Sequence, residues 1–291
     1  MTALVNGQPT RCVDLADRGF QYGDGTFTTI AVRQGVPLFW ALHLARLERD
    51  CQRLLISFPG SECLEPDVRT LCMTQLEGVL KIQISRGIGG RGYRLPQPQR
   101  VTRVLSMHPL PEYPPELWKV GVEIRVCGSR LGINPRLAGI KHMNRLEQIL
   151  ARAEWAADEI REGIMLDAEG YVTEGTMSNV FLVKDGTLHT PKIDRCGVAG
   201  VMRGITIATA QENGVDFVES RVTLEELYAA DEVFLTNCVI GLWPVHRCEH
   251  RTYGIGPITE EIDRWLRTKA ESELAAACNG RSGLSSSLPV S

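Results

Sequence analysis

Four prolines crowd into one short stretch of the chain, at Pro109, Pro111, Pro114 and Pro115. Proline lacks a backbone donor, and its ring clashes with the preceding helical turn, so this stretch cannot lie inside a helix or a central strand. It marks an extended connection and splits a chain of 291 residues into two parts, each long enough to bury a core of its own. The expected organisation is an N-terminal α+β domain over 1–110, a connection over 111–119, a second domain over 120–278, and a Gly/Ser-rich tail over 279–291 that is expected to be disordered.

Helix and strand periods occur on both sides of that break. In the first part, Asp17 to Thr29 reads as a glycine-rich loop entering a strand from Thr26 to Val32. Trp40, Leu44, Leu47, Cys51, Leu54 and Leu55 recur at helical spacing. Leu80 to Ser85 alternates with period two, and Val101 to Met107 is a second strand-like run beyond a glycine-rich turn at 87–92, which predicts a paired sheet. In the second part, Val120 to Val126 reads as a strand and 128–139 as a loop. A long helix is then predicted, with a stripe of Leu146, Ile149, Leu150, Ala153, Ala157 and Ile160 and a capping-box-like start at Asn144 and Glu147. Hairpins are predicted around the turns at 168–170 and 185–186, and a glycine-led helix over 200–210. Two short strands follow, at 216–218 and 232–236, separated by a helix that Thr223 and Glu226 cap. The fold class is therefore mixed, α/β in the broad sense of α+β units.

The formal charge of -3 and a pI near 6.1 provide no basic field for nucleic acid or an anionic membrane surface. No run of about 18 apolar residues is present, and the first residues lack a signal-peptide pattern, so a cytoplasmic protein is expected. Nine cysteines without a Cys-x-x-Cys pair suggest neither a disulfide framework nor a zinc site. Most read as small buried apolar residues.

Of six lysines, Lys141 stands between Gly139-Ile140 and a predicted helix start. An amine close to a positive helix terminus is disfavoured as ammonium, and a depressed pKa suits a lysine that condenses with a carbonyl and later moves protons. Read alone, the same residue fits an exposed loop lysine.

Five ordered segments separate these readings: Asp17-x-Gly19-x-x-Tyr22-Gly23-Asp24-Gly25-x-Phe27-Thr28, His43-x-x-Arg46-Leu47, Gly139 to Glu147, Thr173-Glu174-Gly175-x-x-Ser178-Asn179 and Gly197-Val198-x-Gly200-Val201-Met202-Arg203. Together they closely resemble the fold type IV pyridoxal 5'-phosphate enzymes, whose shape is that of the D-amino acid aminotransferases, from about Asn6 to Gly241. The resemblance implies a two-domain fold and a Schiff base between Lys141 and the cofactor. It also implies that Glu174 pairs with the pyridine nitrogen, that Arg46 takes the phosphate, and that Asn179, Val201, Met202, Asn237 and Cys238 complete the cofactor site. Cys238 departs from the small hydroxyl residue of relatives. Leu146 stands where some aminotransferases carry a tyrosine.

Within that family, Arg86 to Tyr93 and Gly139 to Asn144 resemble the members that cleave aminodeoxychorismate. The activity implied is conversion of 4-amino-4-deoxychorismate to 4-aminobenzoate and pyruvate, with Arg91 and Tyr93 as candidates for binding a dicarboxylate amine and a homodimer as the assembly. A D-amino acid or branched-chain aminotransferase would use the same lysine and glutamate, adding a second half-reaction with a keto acid. A cofactor-binding protein without turnover would keep the fold, although it would need no electron sink.

Overall fold

The computed structural model describes residues 2–282. Among these, a first sheet contains β1 (Thr2–Val5), β2 (Gln8–Pro9), β3 (Gly25–Arg33), β4 (Val36–Pro37), β5 (Gly78–Ser85) and β6 (Thr102–His108). Its order is β2-β1-β6-β5-β3-β4 and every pairing is antiparallel. β3 and β5 pair in unbroken register from Gly25 opposite Ser85 to Val32 opposite Gly78. The period-two pattern of β5 turns Leu80, Ile82 and Ile84 to one face. Two helices cover that face, α2 (Trp40–Arg53) and α3 (Ser61–Thr74), through Leu47, Cys51, Leu64 and Leu71.

A short helix, α1 (Arg18–Tyr22), occupies part of the stretch predicted as loop. Asp17 caps it by accepting the Gly19 N–H, and Gly23 closes it at φ 64°, a left-handed conformation suited to glycine.

After α4 (Leu117–Val120), the second sheet is built from β7 (Val122–Leu131), β8 (Ile160–Asp167), β9 (Val172–Gly175), β10 (Asn179–Lys184), β11 (Thr187–Pro191), β12 (Phe217–Ser220), β13 (Glu232–Asn237), β14 (Gly241–Cys248) and β15 (Arg251–Thr252). The order is β12-β11-β10-β13-β14-β7-β8-β9, with β15 on β14. Parallel pairs (β11 with β12, β14 with β7, β7 with β8) are mixed with antiparallel ones. The helices of this part are α5 (Leu146–Arg152), α6 (Val201–Glu212), α7 (Leu224–Ala229) and α8 (Pro257–Ser282). One apolar core gathers Val122, Ile164, Val180, Leu235, Trp243 and Val245, and a second lies under α6 and α8.

The long helix predicted through Ile160 does not form: α5 ends at Arg152, and Ile160 opens β8. Tertiary contacts outweigh helix propensity here. Trp155 turns into an apolar cluster with Cys127, Leu131 and Met165, while the Glu154 carboxylate accepts the Gly128 and Ser129 N–H groups. The predicted stripe is also rotated outward. Leu146, Ile149 and Leu150 are 72%, 61% and 63% exposed, whereas Gln148 and Ala151 face inward. The expected capping box is absent: Asn144 donates to Gly23 O, and Glu147 accepts the Gly132 N–H. By contrast, the box of Thr223 and Glu226 on α7 is present in full.

Residues 279–282 continue α8, where a disordered tail was expected; 283–291 lie outside the described residues. Five of the described cysteines, Cys51, Cys72, Cys127, Cys196 and Cys248, are buried. No helix among the described residues is long and apolar enough to cross a membrane.

Candidate active site

The two sheets meet around a cavity of about 480 Å³, which receives side chains from both parts of the chain. Lys141 enters from the segment just before α5. Its backbone is pinned to the first sheet: the Phe27 N–H and the Thr26 hydroxyl both donate to Lys141 O, and the Lys141 N–H donates to the buried Asp50 carboxylate at 3.1 Å. The amine lies over the Phe27 ring, 4.7 Å from its centre. Burial lowers its pKa to about 8, with the Arg46 guanidinium pushing in the same direction and Glu174 partly opposing.

Glu174, on β9, is 4% exposed. Its carboxylate accepts the Val198 N–H at 2.8 Å and the Gln148 amide at 3.3 Å. Burial raises its pKa, against the pull of the Val198 N–H, Arg145 and Lys141. A cation placed beside it would be held strongly.

Arg46 comes from α2 and is 6% exposed, so it is not on a solvated helix face. One guanidinium nitrogen donates to the Thr28 hydroxyl, while Nε is buried without a partner. At the same end of the cavity lies the start of α6. Gly200 precedes it without a capping side chain, leaving Val201 and Met202 at the positive end of the helix. A Cβ at Gly200 would run into Asn179 Oδ1, and Asn179 itself donates to Val198 O.

Cys238 lines this end too. The Met202 N–H points to its sulfur, and burial raises the thiol pKa. Asn237 lines the cavity with its side chain already committed: Oδ1 accepts the Val239 and Ile240 N–H groups, and Nδ2 donates to Met177 O.

Arg91 and Tyr93 stand apart. Both are exposed, Tyr93 at 85%, and neither lines the cavity. Their loop is held away by Arg18, which donates to Gly92 O, by Tyr22, whose hydroxyl accepts the Gly92 N–H, and by Arg86, which bonds Asp24 and the Leu54 and Leu55 carbonyls.

Sequence reading missed Arg145, Gln148 and Thr236, which line the cavity. Arg145 and Gln148 follow Lys141 by four and seven residues, a helical spacing that could have flagged them. Arg145 Nε, Gln148 Oε1 and Thr236 Oγ1 are buried without partners.

The donor set fits pyridoxal 5'-phosphate. An amine of lowered pKa is available for the aldehyde, a buried carboxylate for the ring nitrogen, and an unsatisfied guanidinium beside an uncapped helix start for the phosphate.

Comparison with known proteins agrees. Residues 25–248 match the Amino-transferase class IV family. The chain is 39% identical to an aminodeoxychorismate lyase of Vibrio harveyi, over 91% of this chain and 99% of that one. A solved 4-amino-4-deoxychorismate lyase from Pseudomonas aeruginosa superposes with a TM-score of 0.89 at 44% identity, covering 91% and 98% of the two chains. A D-alanine aminotransferase of Bacillus licheniformis is 28% identical over 94% and 99%. With more than half of its length matched and with relatives above 30% identity over nearly their whole length, this chain belongs to the class IV aminotransferase family.

Proposed function

We propose that the chain cleaves 4-amino-4-deoxychorismate to 4-aminobenzoate and pyruvate, with pyridoxal 5'-phosphate as cofactor and Lys141 as the catalytic amine. The observation that carries the chemistry is the pairing, in one buried cavity, of a lysine of lowered pKa with a carboxylate that can hold a ring cation. Likeness over nearly full length to two lyases, at 39% and 44% identity against 28% for the aminotransferase, supports the substrate. Leu146, exposed and outside the cavity lining, puts no hydroxyl where some aminotransferases have a tyrosine.

When bound, the cofactor supplies an aldehyde that takes up the substrate amine and a ring that accepts electrons from the carbon beside it. Glu174 would keep the ring nitrogen protonated, while Arg46, Val201 and Met202 would hold the phosphate. Lys141 Nζ, neutral above about pH 8, takes the proton from substrate C4. As the C3–O bond breaks, the same group, now an ammonium, protonates the departing enolpyruvate to pyruvate. Asn179 keeps the 198–200 segment in place through its bond to Val198 O.

The domains proposed are the two sheet-bearing parts, 1–110 and 120–278. A homodimer in the cytoplasm is proposed as the working form. Its support is the number of exposed large apolar side chains, Leu15, Phe20, Ile88, Tyr93, Leu146 and Leu150 among them, and sedimentation at the mass of two chains would check it. In that assembly Arg91 and Tyr93 would meet substrate only across the interface, in the partner's cavity.

The test is direct. Purified protein mixed with enzymatically generated aminodeoxychorismate should release 4-aminobenzoate and pyruvate without any keto acid, and Lys141→Ala should release essentially none. Turnover that depends on added 2-oxoglutarate would instead identify an aminotransferase.

A further inference from the structure

Behind the cavity's phosphate end, Arg46 is joined to two buried groups that no part of the mechanism uses, Thr28 and His43. Thr28 lies on β3, 0% exposed; His43 and Arg46 lie one turn apart on α2, with His43 also 0% exposed. Thr28 Oγ1 is 2.6 Å from His43 Nδ1 and accepts a hydrogen bond from Arg46 Nη2. A guanidinium only donates, so Thr28 is the acceptor in that bond. Its own proton then needs an acceptor, and His43 Nδ1 is the one beside it. Burial, Arg46 and Lys141 keep the imidazole neutral, which leaves Nδ1 free to accept and places the ring proton on Nε2. The order Arg46 to Thr28 to His43 therefore fixes the direction of both hydrogen bonds, while the buried Nε2 of His43 meets no partner. It also fixes the guanidinium plane, with the unpartnered Nε of Arg46 left for a ligand.

We propose that Thr28 and His43 are positioning residues for the cofactor phosphate: they hold the Arg46 guanidinium in the orientation that receives it, and touch neither phosphate nor substrate themselves. This rests on the reading that Arg46 takes the phosphate. Pre-orientation removes the freedom that a four-torsion side chain would otherwise lose on binding. A neutral partner is suited to the task, because a carboxylate in place of His43 would compete with the phosphate for the guanidinium.

The experiment compares two ligands that differ only in the phosphate. Full-length protein freed of cofactor is titrated with pyridoxal 5'-phosphate and with pyridoxal, and binding is followed by the absorbance of the lysine adduct. In Thr28→Val, affinity for pyridoxal 5'-phosphate is expected to fall about tenfold and that for pyridoxal less than about twofold. His43→Phe should behave alike, and Thr28→Ser should restore the wild-type preference. Pyridoxal binding doubles as the check that each variant folds.

Equal losses for both ligands would mean a purely structural role and overturn the proposal, as would no loss at all. Arg46→Gln separates the two levels. If it keeps the preference for the phosphorylated form, the reading of Arg46 fails and this inference with it; if it loses the preference while Thr28→Val and His43→Phe retain it, that reading stands and the positioning chain is wrong.

Discussion

Lys141 and Glu174 pull each other in opposite directions, and burial decides the balance for both. Desolvation lowers the lysine to about 8 and raises the carboxyl. A base whose folded pKa lies below its unfolded one destabilises the fold while it is charged. That penalty is present in full below about pH 8 and is relieved as pH rises from there to the ordinary lysine value of 10.5. The same shift has a kinetic consequence: only the neutral amine attacks an aldehyde, so capture of pyridoxal 5'-phosphate by the cofactor-free protein should accelerate about tenfold per pH unit up to about pH 8, then level off. Stopped-flow absorbance across pH 6–10 checks this. An inflection close to 10.5 would mean that the amine is solvated.

This residue was legible once the five ordered segments were taken together, since its place between Gly139-Ile140 and a helix start fits an exposed loop lysine equally well. Arg46 was legible only through resemblance: an arginine on an amphipathic helix carries no mark of burial, and its inward direction depends on Thr28 across the sheet. Arg145 and Gln148 were not read at all, because long polar side chains look the same in sequence whether they line a cavity or face water.

Among the elements, those whose period matched their burial were read well. β5, β6, α2, β10, β11 and α6 stand close to where alternation or helical spacing puts them. α5 was misread in length and in face, since Trp155 and Glu154 found partners outside the helix. Such contacts leave no local trace.

The loop after β9 depends on another distant partner. Glu162 on β8 is 1% exposed and accepts the Thr176 N–H, the Thr176 hydroxyl, the Met177 N–H and the Ser178 hydroxyl. This one carboxylate shapes the turn from Gly175 to Ser178 along the cavity wall. Glu162→Gln would turn an amide donor toward donors and should cost about 3 kcal/mol in denaturant unfolding, with weaker cofactor retention on dialysis. A change within about 0.5 kcal/mol would show that the turn holds itself.

For the molecule as a whole, the proline stretch is the most conspicuous mark in the sequence, and one sheet lies on each side of it. Sequence could not show that the cavity is built from both. Phe27 and Arg46 come from before the break; Lys141, Glu174 and Met202 come from after it. Pairing between the isolated residues Thr26 and His142 ties the lysine segment directly to the first sheet. By this junction Lys141 becomes the one amine placed to join the cofactor. Borohydride reduction of the protein saturated with pyridoxal 5'-phosphate, followed by peptide mapping, tests it: the account predicts a single pyridoxyl adduct at Lys141, and an adduct at any other lysine, or none, would contradict it.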